Sequence, residues 1–104
     1  MKAIVVREFG GPEVLKMEEV GETKPGPGQI LVEVRAIGIN PVETYQRSGN
    51  YTPSPALPYT PGTDAAGIIA EIGENVMDLR PADRVYTSGA VGGSYAEKVL
   101  CLQT

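Results

Sequence analysis

At 104 residues the chain holds one domain at most, and its formal charge of −4, with basic and acidic residues mixed, provides no basic stripe to neutralise a phosphate backbone. Nucleic acid is therefore not an expected partner. Hydrophobic residues make up 41% of the chain, enough for a modest core, and 13 glycines with 9 prolines predict many turns and few long helices.

The first apolar run, Ala3 to Val6, ends at Arg7 and is too short for a secretory core or a membrane span. With no targeting segment and a single cysteine, Cys101, which has no internal disulfide partner, the chain reads as cytoplasmic and free of the membrane. Met1 to Phe9 is a strand candidate closed by Gly10-Gly11-Pro12. In Val14 to Val20, Leu15 and Met17 alternate with charged neighbours, which predicts an antiparallel partner for the first strand. Pro25-Gly26-Pro27-Gly28 is a turn. Beyond it Ile30, Val32, Val34 and Ala36 share one face of a strand whose other face carries Glu33 and Arg35.

At Ile39-Asn40-Pro41 the alternation stops. Asn40 before a proline is pushed away from the helical region, and proline suits the first helical position, so Pro41 to Arg47 predicts one short helix, near residues 41–48. Local pattern alone reads Asn40 as its N-cap and Tyr45 as a packing residue. Further on, Ala65 to Ile72, Arg84 to Thr87 and Ser94 to Leu102 are three more strand candidates. Six or so short strands with one brief helix predict a mainly β fold, a partly open β-barrel.

Four stretches carry more than pattern. EFGGPEVLK (Glu8 to Lys16), GINPVETYQRSGNY (Gly38 to Tyr51), LPYTPGTDAAGIIAEIG (Leu57 to Gly73) and DRVY (Asp83 to Tyr86) occur in an order that resembles the N-terminal part of the zeta-crystallin-type quinone oxidoreductases, of the medium-chain dehydrogenase/reductase superfamily. The resemblance implies a GroES-like barrel over residues 1–104, incomplete here, with the dinucleotide-binding domain absent because the chain stops at Gln103-Thr104. It implies NADPH as cofactor, bound largely by that absent domain, and a quinone or other conjugated carbonyl as substrate. It also implies a homo-oligomeric full-length enzyme. On the barrel side Asn40 would sit near the nicotinamide and Tyr45 would contact the cofactor, while Tyr51 and Thr63 would border the substrate pocket. No residue stands out as a dedicated acid or base.

Zinc alcohol dehydrogenases of the same superfamily carry a ligand cysteine where this chain has Asn40 and a Gly-His-Glu where it has Gly62-Thr63-Asp64. A catalytic zinc takes three protein ligands, usually His or Cys, whereas this chain has no His and one Cys. No zinc is expected, and a substrate reduced without one must accept a hydride readily.

Thr63 and Asp64 read equally well as a capped turn after Pro61-Gly62. Pro53, Pro55, Pro58 and Pro61 give two P-x-x-P spacings but no basic flank that would support a polyproline ligand. Gly89 to Gly93, GAVGG, lacks the spacing of a phosphate loop and reads as a strand-linking loop. Similar enzymes usually have a glycine before Asp-Arg-Val where this chain has Pro81-Ala82, which strains the turn if that position needs a positive φ. Two other functions fit the same barrel. One is a stand-alone binding or structural module like the chaperonin-10 proteins, and the other is a reductase of enals or enoyl thioesters.

Overall fold

The computed structural model describes residues 1–87 and 90–103. Among them are seven strands, a single 3-10 turn at Pro12–Val14 and one α-helix, α1, at Pro41–Ser48. The strands are β1 Lys2–Val5, β2 Lys16–Glu19, β3 Gln29–Ile37, β4 Ala65–Ile72, β5 Arg84–Thr87, β6 Ala90–Val91 and β7 Lys98–Leu102. The fold is mainly β, as the pattern of short apolar runs and turns predicts.

β1 and β2 pair antiparallel, with Lys2 opposite Glu19 and Val5 opposite Lys16. The other five strands form an antiparallel sheet in the order β5-β4-β3-β7-β6, so β3, the strand with the clearest alternation, lies at its centre. The two sheets do not close into one barrel. A two-way backbone bridge between Val6 and Tyr59, at 2.8 and 3.0 Å, and a second bridge between Ala3 and Ala96 tie the small sheet to the rest. Ile30, Val32, Ala65, Ile69, Val99 and Cys101 make the core, with Val34, Ile72, Leu79, Val85 and Ala90 packed at its margin. At about 25 cal/mol per Å² of apolar surface, each fully buried Val or Ile contributes roughly 1.5–3 kcal/mol.

Several sequence expectations shift. Ala36 is exposed, not on the core face, because the β3–β4 register slips between Val34 and Ala36, leaving Arg35 as an extra residue that breaks the two-residue alternation. Leu31, on the face read as polar, is only 1% exposed, and it lies outside the core cluster. Met17 is 67% exposed, since a two-stranded sheet has one face without cover. The first strand ends at Val5, and the last begins at Lys98 after a bend at Ser94 and Tyr95. Of the stretch read as a linking loop, Gly89 lies outside the described residues, while Ala90–Val91 form the short strand β6 against Leu100 and Cys101. The chain end at Thr104 also lies outside them. Ala82 has φ +78, so the position does need the left-handed conformation.

The helix occupies the predicted span. Asn40 is extended at φ −116, ψ 150, Pro41 takes the first turn, and Gly49 ends the helix at φ +86. Among the described residues no helix is long and apolar enough to cross a membrane.

Candidate functional site

The end of β3 and the start of α1 bring Asn40 to the centre of a polar network. Asn40 and Glu43 form a capping box in which the Glu43 carboxylate accepts from the Asn40 backbone N–H at 3.0 Å. The Asn40 side-chain Nδ2 donates to Asp64 Oδ2 at 3.0 Å and to Glu43 Oε2 at 3.3 Å. Both partners are carboxylates, which accept and do not donate when ionised, so they fix which end of the amide faces them. Asp64 is anchored in turn: its carbonyl accepts from Gly38 N–H at 3.1 Å, and its Oδ1 accepts from Thr63 Oγ1 at 3.4 Å.

Glu43 is buried, at 4% exposure, which an acidic side chain tolerates only when its oxygens are satisfied. Besides the two groups of Asn40 it accepts from Tyr95 OH at 2.6 Å, a short charge-assisted bond. Burial pushes the Tyr95 phenol well above its usual range, because the phenolate would lose its water, and the bond to Glu43 with its negative charge pushes it further. Tyr95 reaches Glu43 because its segment folds back along the 61–62 turn: Tyr95 N–H donates to Pro61 O at 3.0 Å and Ser94 N–H to Gly62 O at 3.2 Å. Gly62 itself has φ +104, and a Cβ there would strike the side chains of Ser94 and Tyr95, so glycine is required on both counts.

Asn40, Thr63 and Asp64 are thus brought together. Tyr45 lies on the outer side of α1, 55% exposed, and Tyr51 on the loop after it, 37% exposed. Thr63 also lines an open groove of about 620 Å³ shared with Gln46, Pro55, Pro58 and Tyr59; Asn40, Tyr45 and Tyr51 are not part of its wall. Glu43 and Tyr95 complete this network without standing out in the sequence. The N-x-x-E spacing of a capping box marks Glu43 in principle, but nothing local marks Tyr95, 52 residues away.

The donor set at Asn40 and Asp64 does not suit zinc. It consists of an amide and two carboxylates already bonded to one another and to Tyr95, with no imidazole or thiolate. The one thiol, Cys101, is buried in β7, and burial pushes its pKa up, with Thr87 opposing. Among the described residues no three His, Cys, Asp or Glu side chains gather as a metal group.

Comparison with known proteins gives a consistent picture. Residues 26–103 match the family described as the alcohol dehydrogenase GroES-like domain. The human quinone oxidoreductase is 50% identical over 101 residues, covering 96% of this chain and 31% of the relative, and the rat quinone oxidoreductase is 54% identical over the same span. The crystal structure of Escherichia coli quinone oxidoreductase complexed with NADPH superposes with a TM-score of 0.92 at 39% identity, covering 98% of this chain and 31% of that one. The chain therefore spans about a third of the length of the relatives it matches.

Proposed function

The chain belongs to the alcohol dehydrogenase GroES-like domain family, and on that premise we propose that it is the barrel domain of an NADPH-dependent quinone oxidoreductase that works without a metal. The observation that carries the reading is the Asn40–Asp64 hydrogen bond, with Thr63 beside it. At the positions that resemble the zinc ligands of alcohol dehydrogenases, the side chains are spent on one another. A reaction at such a site needs a substrate electron-poor enough to take a hydride without a Lewis acid, and a quinone is one.

NADPH supplies the hydride when bound. The chain's own part is to present one wall of the cleft. Exposed Tyr45 offers an aromatic face to the cofactor, Asn40 a fixed amide beside the nicotinamide, and Tyr51 a hydroxyl that donates to a carbonyl oxygen as negative charge develops there, with Thr63 bordering the same pocket. The pyrophosphate cradle, a glycine-rich turn at a helix N-terminus, belongs to a dinucleotide-binding domain beyond this sequence. The whole enzyme is a cytoplasmic homo-oligomer in this reading.

The reading is tested on the isolated chain by calorimetric titration with NADPH and by quinone-dependent NADPH oxidation. Weak binding and no turnover are expected. Micromolar binding or steady turnover would overturn the assignment of the cofactor cradle to a separate domain. A reductase of enals on the same scaffold is the second reading, favoured by the same metal-free donor set; a panel of quinones and enals given to a full-length enzyme carrying this chain decides between them.

A further inference from the structure

We propose that Glu43, clamped by Tyr95, is a positioning residue that holds the Asn40 side chain in the one orientation presented to the cleft. This rests on the placement of Asn40 at the cofactor given above, but the clamp itself is a property of the chain alone.

The geometry separates this role from ordinary helix capping. A capping box needs the Glu43 carboxylate on the Asn40 N–H, present at 3.0 Å, and the Asn40 side-chain oxygen toward the Glu43 N–H; it asks nothing of the amide's protons. Two further features go beyond it. The second oxygen, Oε2, takes a proton of the Asn40 amide at 3.3 Å, and Oε1 takes the Tyr95 hydroxyl at 2.6 Å from a segment far along the chain. Tyr95 therefore pins the carboxylate from another part of the chain, on the oxygen that also caps the helix, and the carboxylate pins the amide. Asp64 holds the amide's other proton at 3.0 Å. An amide with both N–H bonds directed at fixed carboxylates cannot flip without turning its oxygen onto them and taking a donor from buried Glu43 and half-buried Asp64, which is costly. The order is Tyr95 to Glu43 to Asn40, with Asp64 closing the far end, and it joins the start of α1 to the 61–64 turn and the 94–95 bend.

Tyr95→Phe is the discriminating variant, because it keeps the ring in place and leaves the capping box whole. In the isolated chain, NMR follows the side-chain amide protons of Asn40. Loss of a hydrogen bond to a charged group predicts their exchange with water to quicken on the order of tenfold in Glu43→Gln, and severalfold in Tyr95→Phe, with the Asn40 side-chain resonances shifted in both. A residue that only capped the helix would respond differently. Glu43→Gln would then lower stability, and Tyr95→Phe would leave the Asn40 amide untouched. Unchanged Asn40 amide exchange in a folded Tyr95→Phe chain overturns the proposal. The cofactor placement is read separately, from NADPH affinity in a chimera where this chain replaces the matching third of a full-length relative. Affinity there is expected to fall severalfold with Tyr95→Phe. An unaltered affinity alongside a moved amide would remove Asn40 from the cofactor and leave the clamp standing.

Discussion

Ala82→Gly is expected to stabilise the chain. Ala82 sits at φ +78 in the turn before β5, a region where an L residue brings its Cβ too close to the following carbonyl. The turn imposes this conformation from several sides. Ala82 N–H donates to Ile69 O at 2.8 Å, Asp83 N–H to Arg80 O at 3.1 Å, Arg80 N–H to Asp83 Oδ2 at 3.0 Å, and Asp83 O accepts from Ile69 N–H at 2.9 Å. Relief of the left-handed conformation is worth roughly 1–2 kcal/mol, and the larger backbone entropy that glycine loses on folding returns roughly 0.5–1 kcal/mol of it. Because Ala82 is exposed, its methyl contributes little burial. The net gain is about 0.5–1 kcal/mol, which raises the melting temperature of a domain this small by roughly 2–8 °C. Thermal unfolding followed by circular dichroism reads it directly, and urea unfolding with an unchanged m value checks that the denatured state is not the cause. Asn75→Gly serves as the comparison. Asn75 also has a positive φ, 66, but asparagine tolerates it, so a smaller gain is expected. An Ala82→Gly chain that melts at or below the parent temperature would refute the argument.

Other expectations concern the site and its ionisation. The purified chain should hold no stoichiometric zinc, and elemental analysis finding one tightly bound zinc per chain would contradict the donor-set argument. In a chimera with a full-length relative, Tyr45→Ala should weaken NADPH binding on the order of tenfold, as expected for loss of an aromatic contact of about 1.5 kcal/mol, and more than Tyr51→Ala does; equal affinities by fluorescence titration would return Tyr45 to a packing role. Stability should decline in alkali. The folded chain holds the Cys101 and Tyr95 protons more tightly than the unfolded chain, so their contribution is whole below the unfolded values, about 8.5 for Cys and about 10 for Tyr, and is lost as pH rises through the folded ones. Tyr95→Phe should flatten the upper part of that decline, and urea midpoints measured across the alkaline range show whether it does.

The elements most legible in the sequence are those whose signals are local. Helix α1 is opened by Asn40-Pro41, which set φ at its start, and it runs from Pro41 to Ser48, the predicted span, with Gly49 at φ +86 closing it. The turn at Gly26 to Gly28 is legible for the same reason. What alternation could not convey is register. The extra residue at Arg35 turns Ala36 outward, and nothing in the apolar pattern of β3 marks it, because the slip is defined only against β4. β6 is two residues long and exists only through its pairing with β7. The site divides in the same way. Asn40 and Thr63-Asp64 stand out through the stretches that resemble the reductases, and they meet in space. Tyr95 does not stand out, since its partner Glu43 lies in another element and the contact depends on how the 61–64 turn and the 94–95 bend pack.

In the proposed role this chain forms the barrel side of a quinone-reducing site that works without a metal. The most direct measurement is quinone-dependent NADPH oxidation by the chimera in which the chain replaces the matching third of a full-length relative, assayed with a chelator present. Turnover with quinones, undiminished by the chelator, is expected. A folded chimera that binds NADPH yet reduces no quinone, or one whose activity is lost to the chelator and restored by zinc, would contradict it.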